Sequence, residues 1–177
     1  MTDAYDLADA ARTETPRFGD ERATLTAFLD FQRDTFAMKC AGLTTDQLRA
    51  RPLLPSPLSL LGLTRHIAEV ERGWFRNVLN NEAHPGFWKH PDGGFAEFDV
   101  DDADPDEAFT VWRRECAHAR ELVATAPSLD VPGHYRGPAG DQSWSLRWIL
   151  THMIEEYARH NGHADLLREH LDGRTGE

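Results

Sequence analysis

The sequence predicts an all-α fold, a bundle of four long helices joined by substantial loops. Four segments carry apolar residues at the spacing of an amphipathic helix, and no segment alternates long enough to predict a strand. At 177 residues the chain suits one domain with its own core and is too short for two. We therefore expect one domain over residues 20–174, preceded by a loose arm or surface strap over residues 1–19.

The composition and charge exclude several classes of partner. With 30 acidic and 19 basic residues the formal net charge is -11, which repels phosphate backbones and anionic lipid. No stretch approaches the roughly 20 apolar residues that cross a bilayer, and the N-terminus lacks the features of a signal peptide. We expect a cytoplasmic protein without nucleic-acid or membrane partners. Cys40 and Cys116 lie within helical patterns and predict buried free thiols.

The first helix is predicted to run from Glu21 to about Ala41. Its apolar stripe comprises Leu25, Phe28, Leu29, Phe36 and Cys40. In the connector that follows, Thr44 and Gln47 have the spacing of a capping box, which predicts a short helical turn. Three prolines then prevent regular structure.

The second long helix is predicted to start near Ser56 or Ser59 and to end near Asn80. Its apolar side comprises Leu60, Leu63, Ile67, Val70, Trp74 and Val78. Residues 81–103 then form a long loop, whose proline, glycine and aromatic residues predict a folded lid with a solvated acidic tail.

The third helix has a strong start signal at Asp104, a capping residue followed by Pro105 and two carboxylates. Pro127 ends it, and a glycine-rich loop over residues 127–142 leads to the last helix. That helix is predicted to begin after Ser143 or Ser145. It runs to about residue 171, before a stop at residue 173.

The last helix carries an ionisable pair on its buried face, Glu156 and His160. On a helical wheel Glu156 lies about 40° from His160, which is in the middle of the apolar sector. A buried carboxylate is costly unless a positive group or a metal compensates it. At i, i+4 spacing the two side chains can meet at one point. The apolar sector comprises Leu146, Ile149, Met153, Tyr157, Ala164, Leu167 and Leu171.

His66 is the expected third ligand of a metal site, because it borders the apolar face of the second helix. One carboxylate oxygen and two imidazole nitrogens suit a divalent zinc, nickel or iron ion, with zinc first among them. Three protein ligands leave a coordination position open, as catalytic sites require. The predicted metal ligands are therefore His66, Glu156 and His160.

A plainer interpretation of the same residues remains open at this point. A hydrogen-bonded core histidine would explain His160, and an ion pair with Arg72 or Arg159 would explain Glu156. His152 and His163 are expected near the rim of the site, and either is an alternative to Glu156 as a ligand.

Two motifs resemble the DinB-like (YfiT-like) superfamily of bacterial metal-binding bundles, and closely an actinobacterial branch of it. They are SLLGLTRHIAEVERGWF at residues 59–75 and HMIEEYARHNGHAD at residues 152–165. The resemblance implies a four-helix bundle in up-down-down-up order with a metal triad, His66 matching the first histidine and His160 the last. Most relatives have histidine where this chain has Glu156, whereas the mycothiol-dependent maleylpyruvate isomerases similarly use a Glu-x-x-x-His pair.

The resemblance implies an enzyme that uses a low-molecular-weight thiol such as mycothiol and acts on small electrophiles as a transferase or isomerase. We expect the cavity walls near Phe87-Trp88-Lys89 and Tyr135-Arg136. Two alternatives are a metal-dependent hydrolase without a thiol cofactor and a non-enzymatic, metal-stabilised protein that dimerises. A homodimer is also expected from bundles of this type.

Overall fold

The structure, a computed structural model, describes residues 12–137 and 140–175, and residues 1–11 of the expected N-terminal arm lie outside that part. Most elements of this part are helices, and two short strands form a hairpin. The elements are α1 (Glu21–Cys40), α2 (Thr45–Arg49), α3 (Leu60–Glu71), a π-helix (Arg72–Leu79), α4 (Pro105–Thr125), β1 (Pro132–Gly137), β2 (Gly140–Ser145) and α5 (Leu146–Asp172).

Capping side chains fix the starts of helices α1 to α5. In each case a short polar side chain accepts a hydrogen bond from a backbone N–H of the first turn, which otherwise has no partner. The predicted bounds of the first, third and last helices and the capping box at Thr44 are confirmed. Gly173 ends α5 with a φ of 76°, a conformation that glycine adopts without strain. The caps are Asp20, Thr44, Ser59, Asp104 and Ser145.

The second long helix differs from the prediction in its last eight residues, which form a π-helix. A π-turn is wider than an α-turn and takes more residues per revolution, so the buried face shifts along the sequence. Phe75 is buried there, whereas Trp74, which we predicted on the apolar face, is half-buried. The 3.6-residue period used for the prediction does not detect such a change.

The predicted loop over residues 127–142 is wrong for its greater part, because a β-hairpin occupies it. Strands β1 and β2 pair antiparallel, with Pro132 opposite Ser145 and Gly137 opposite Gly140. The hairpin packs against the π-helix at Gly133, where a Cβ atom would lie 2.9 Å from the carbonyl oxygen of Val78. Backbone pairing and this close packing stabilise strands that lack an apolar alternation.

Buried residues from all the long helices form the core, and α1 packs along α5 while α3 packs along α4 and α5. A charged network lies inside this core. Arg33 of α1 donates two hydrogen bonds to Glu71 of α3, at 2.8 and 2.7 Å. Tyr157 of α5 donates to the same carboxylate at 2.7 Å, and the Cys116 thiol of α4 lies 3.5 Å from it. Four helices therefore meet at one carboxylate.

The loop between the π-helix and α4 is folded and anchored to its neighbours, as predicted, while its role as a lid stays a prediction. Glu69 of α3 accepts hydrogen bonds from the backbone N–H groups of Phe87 and Trp88, at 2.5 and 3.0 Å. Two guanidinium groups hold its far end. Arg65 donates to the carbonyl oxygen of Asp99 at 2.5 Å, and the Arg49 side chain donates to that of Ala103 at 2.6 Å.

In the described part of the chain, none of the helices combines the length and apolar character that crossing a bilayer requires.

Candidate metal centre

Helices α3 and α5 bring the three predicted metal ligands together. The Oε1 atom of Glu156 lies 3.3 Å from Nε2 of His66 and 3.2 Å from Nε2 of His160. All three donor atoms lie within 4.8 Å of one another. The two imidazole rings cross at 64° with their centroids 4.8 Å apart. One carboxylate oxygen is thus placed between two imidazole nitrogens from different helices.

The two donor separations that involve Glu156 fit a small divalent ion. Ligand distances of about 2.0–2.2 Å around a tetrahedral zinc ion put neighbouring donor atoms roughly 3.4 Å apart. The separations of 3.3 and 3.2 Å at Glu156 are close to that value. The donor set of one oxygen and two nitrogens also suits zinc, nickel or iron.

The electrostatics of the site favour, for His160 and Glu156, the protonation states that metal binding needs. Burial, reinforced by the nearby His66 ring, lowers the pKa of His160 below its ordinary value. Burial acts to raise the pKa of Glu156, but the charges and hydrogen bonds of His160 and His66 outweigh it and hold that pKa below its usual range. At neutral pH the site therefore offers an uncharged imidazole and an ionised carboxylate.

The loop contributes two residues that enclose His66 on its outer side. The Phe98 ring stacks on the imidazole of His66, with centroids 5.5 Å apart and planes inclined by 26°. Oε1 of Glu97 lies 3.6 Å from Nδ1 of the same imidazole. Gly62, one turn before His66, makes room for this arrangement, because a Cβ atom there would lie 2.8 Å from Phe98 Cδ1.

Glu97 and Phe98 are the residues of the site that the sequence reasoning missed. We predicted that the acidic end of the loop is solvated, whereas only 8% of Glu97 is exposed. The signal that was available is local: Phe95 and Phe98 flank Glu97, and a carboxylate between aromatic residues is unusual for a solvated tail. Its proximity to His66 depends on the path of the whole loop, which no local pattern determines.

The other two histidines of α5 lie outside the group of converging donors. Nδ1 of His163 lies 3.3 Å from Nδ1 of His160, so it contacts the ring on the side away from Glu156. His152 stacks on Trp148 and lies 3.3 Å from Glu155. Among the described residues only the three predicted ligands form such a group.

Of the two arginines considered as partners of Glu156, Arg159 contacts it and Arg72 pairs with another carboxylate. Arg159 lies 3.5 Å from Oε2 of Glu156, with its own side chain 57% exposed. Arg72 instead pairs with Glu69 at 2.7 Å. The weak, exposed contact with Arg159 leaves Oε1 of Glu156 directed at the two imidazoles.

The residues expected to line a cavity include both buried and exposed side chains. Trp88 is 8% exposed and packs under the guanidinium of Arg65, so it belongs to the anchored interior of the loop. Tyr135 is exposed on β1. A cavity of about 400 Å³ lies elsewhere, where Leu29 of α1 faces Val123 of α4, and its lining includes none of the three donor residues.

The two cysteines are buried free thiols, as the sequence predicts. Burial raises the pKa of Cys40 to about 12. Burial and the nearby carboxylate of Glu71 raise the pKa of Cys116 well above its ordinary value. Neither sulfur is available as a thiolate at neutral pH, so neither is suited to attack a substrate.

Comparison with known proteins gives one clear match. A search of curated proteins finds no similar sequence. The family model described as mycothiol-S-transferase matches residues 24–173, which include all three converging donors and the segment that encloses His66. Because this match spans most of the chain, the protein belongs to the mycothiol-S-transferase family.

Proposed function

We propose that this protein is a metal-dependent transferase that joins the sulfur of mycothiol, or a similar low-molecular-weight thiol, to a small electrophile. The observation that carries the proposal is the meeting of Glu156 Oε1 with two imidazole nitrogens at 3.2 and 3.3 Å. Family membership supports the thiol as co-substrate. The net reaction replaces the S–H bond of the thiol and a carbon–leaving-group bond by a C–S bond, with release of the leaving group and a proton.

In this proposal His66, Glu156 and His160 hold a divalent ion, zinc before nickel or iron. When bound, such an ion is a Lewis acid that lowers the pKa of a coordinated thiol. The carboxylate of Glu156 offsets part of the cation's charge, and the imidazoles fix its position between α3 and α5. Phe98 covers one face of His66 and keeps water from it.

The chain's own thiols support an external sulfur nucleophile. Cys40 and Cys116 are the only cysteines of the sequence, and both are buried with raised pKa values. A thiol-transfer reaction at this site therefore needs a sulfur compound that enters from solvent. A low-molecular-weight thiol meets that requirement.

The test is adduct formation between mycothiol and a small alkyl halide, followed by mass spectrometry. We expect the zinc-loaded protein to form the adduct, a chelator to abolish it, and added zinc to restore it. His160→Ala removes one nitrogen donor and lowers the rate by at least about 100-fold, as loss of a ligand exceeds the effect of losing an outer partner. His170→Ala, at an exposed histidine of the same helix, is the matched control and retains the rate.

Two outcomes would contradict the proposal. Full activity after complete metal removal would exclude the metal centre. Turnover of an ester at the same rate with and without mycothiol would favour the hydrolase that the three-ligand set also allows.

We also infer that the four long helices form the up-down-down-up bundle of the DinB-like superfamily. Contacts of α1 with α5 support a parallel pair, since Glu21 meets Arg147 near both starts and Lys39 meets Arg168 near both ends. Contacts of α3 and its π-helical extension with α5 support an antiparallel pair. His66 meets His160 there, and the later Trp74 meets the earlier His152.

A further inference from the structure

Three tryptophans from three elements form an aromatic cluster that is partly exposed. Trp74 lies in the π-helix, Trp144 in β2 and Trp148 in the first turn of α5. The ring centroid of Trp74 lies 5.2 Å from those of Trp144 and Trp148, which are 5.8 Å from each other. Trp148 is 43% exposed, and the other two are half-buried. We call these three residues the tryptophan cluster.

Packing of the hydrophobic core does not explain this exposure. The sequence neighbours Phe75 and Ile149 are 1% and 0% exposed, so they fill the core at these two points of the chain. A tryptophan that stays partly in water forgoes part of the free energy that its burial would give. Contiguous exposed apolar surface commonly marks a binding site. The exposed indoles are therefore candidates for contact with a ligand.

The tryptophan cluster lies along the same helix interface as the candidate metal centre. Trp74 contacts His152 where the π-helix meets α5, with ring centroids 4.8 Å apart. Across the same pair of helices His66 meets His160. His152 precedes Glu156 by one turn of α5, a rise of about 6 Å along the helix axis. A single small molecule can therefore contact the indoles and reach the converging donors.

Both elements that differ from the prediction bring a tryptophan to this surface. The π-helix carries Trp74, and π-turns occur often at functional sites. Trp144 lies opposite Gly133 in the hairpin, and Gly133 packs closely on Val78 of the π-helix. These contacts hold the rings in place before a ligand binds, which lowers the entropic cost of binding.

The chemistry of indole rings identifies the class of ligand. Indoles bind flat rings in offset or edge-to-face arrangements, and their electron-rich faces complement an electron-poor aromatic ring. We propose that the tryptophan cluster is the electrophile subsite of the transferase and selects electrophiles that carry a planar aromatic ring. The inference rests on the function proposed above. With a benzylic chloride the C–Cl bond breaks, the C–S bond forms, and chloride and the thiol proton are released.

The first test compares the aromatic 4-nitrobenzyl chloride with the aliphatic chloroacetamide, using zinc-loaded protein and mycothiol. Loss of one aromatic contact in Trp148→Ala should lower the aromatic-to-aliphatic ratio of kcat/KM by about 3–10-fold, mainly through the KM of the aromatic chloride. Trp148→Phe keeps an aromatic face and should retain most of the ratio. Phe28→Ala is the matched control, since Phe28 is a 41% exposed aromatic residue of α1, outside the cluster.

Two kinetic results would overturn the proposal. One is a Trp148→Ala ratio equal to that of the wild type. The other is an equal fall of the ratio in Phe28→Ala, which would mean that any exposed aromatic residue has this effect. A rise in the KM of mycothiol together with an unchanged ratio belongs to the first case, and it would assign the cluster to the thiol.

The second test measures binding without turnover, in the metal-free protein. The probe is 4-nitrobenzyl alcohol, and proton–nitrogen NMR spectra of the indole N–H groups report its dissociation constant. We expect saturable shifts at Trp74, Trp144 and Trp148, and none at Trp88 and Trp112, which are 8% and 5% exposed. Cyclohexylmethanol, which has no flat π face, should bind more weakly. Equal affinities for the two alcohols would overturn the aromatic preference.

The two tests separate this inference from the proposed function. If no adduct forms with either chloride, the transferase fails, and the NMR titration still decides whether the cluster binds aromatic rings. If both adducts form and the Trp148→Ala ratio matches the wild type, the transferase stands and the subsite fails. A dimer that Trp148→Ala dissociates in sedimentation velocity, with no shifts from the alcohol, would assign the cluster to an interface between copies and overturn the subsite.

Discussion

At the scale of single residues, Glu156 shows how burial and function are linked. Its carboxylate lies on the interior side of α5, where its polar partners among the described residues are the two imidazoles and the exposed Arg159. Burial acts against its charge, and the contacts with His160 and His66 outweigh burial and hold the pKa of Glu156 below its usual range. In the function proposed above, a bound divalent cation would add a permanent positive charge beside this carboxylate.

We predict that Glu156→Gln weakens zinc binding by more than about 100-fold, above the range for outer-shell partners, because it removes the only charged donor. Isothermal titration calorimetry measures the affinity. Glu155→Gln is the neighbouring control, since Glu155 pairs with Arg159 at the surface and lies outside the donor group. Equal affinities in the two variants would mean that Glu156 is not a ligand.

The cysteines give a second prediction at this scale. Because burial raises the pKa values of Cys40 and Cys116, we expect the native protein not to react with a thiol reagent at pH 8. Two thiols per chain should react after unfolding in guanidinium, as counted by absorbance of the released chromophore. Rapid labelling of one thiol in the native state would restore an internal sulfur nucleophile as an alternative.

At the scale of elements, helices with local signals are predictable from the sequence. Asp104-Pro105 begins α4 and Ser145 begins α5, and each start depends on a cap that adjacent residues form. The hairpin is not predictable in this way, because Gly133 and its neighbours carry no apolar alternation. Its strands form through pairing and through contact with Val78, which lies far away in the sequence.

The candidate site likewise contains residues that a local pattern predicts and residues whose positions depend on distant contacts. The i, i+4 pair of Glu156 and His160 is visible on a helical wheel because one helix fixes its geometry. His66 lies beside this pair because α3 packs on α5. Predicting that contact requires the buried faces of both helices to be assigned correctly. Glu97 comes from an irregular loop, whose path depends on distant contacts such as Arg65 with Asp99.

Substitution of Gly62 tests the packing of the loop on α3, and substitution of Gly162 serves as the comparison. Gly62→Ala places a methyl group about where Phe98 lies, so we predict a loss of about 1–3 kcal/mol in the free energy of unfolding, with weaker zinc binding. Gly162→Ala in α5 adds a methyl group in open space, and we expect the free energy of unfolding to rise by about 0.5–1 kcal/mol because alanine favours a helix more than glycine does. Urea denaturation measures both. A stabilising Gly62→Ala would show that Phe98 does not pack closely on α3.

At the scale of the whole molecule, Glu71 links four helices through one buried carboxylate. Its partners come from α1, α4 and α5, and the indole of Trp112 donates to Tyr157 at 2.8 Å behind them. Although burial acts to lower the pKa of Arg33, Glu71 keeps that pKa well above its ordinary value. Arg33 is therefore charged in the folded protein, and its charge depends on the presence of Glu71.

We predict that Arg33→Leu lowers the free energy of unfolding by about 3–5 kcal/mol, because Glu71 is left as an unpaired buried charge. The double variant Arg33→Leu/Glu71→Leu should lose less than the sum of the single variants. Urea unfolding of the four proteins completes the cycle. Asp101→Asn, which breaks an exposed pair, should cost much less. Additive losses would show that the two charges do not act as a unit.

The anchors of the loop have a consequence for how this protein can diverge. Arg49 and Arg65 bind carbonyl oxygens of Ala103 and Asp99, and every amino acid offers that same oxygen. The attachment is therefore indifferent to which side chains occupy those two positions. Substitutions at these two positions can therefore change the surface of the loop while both arginines keep it attached to α2 and α3.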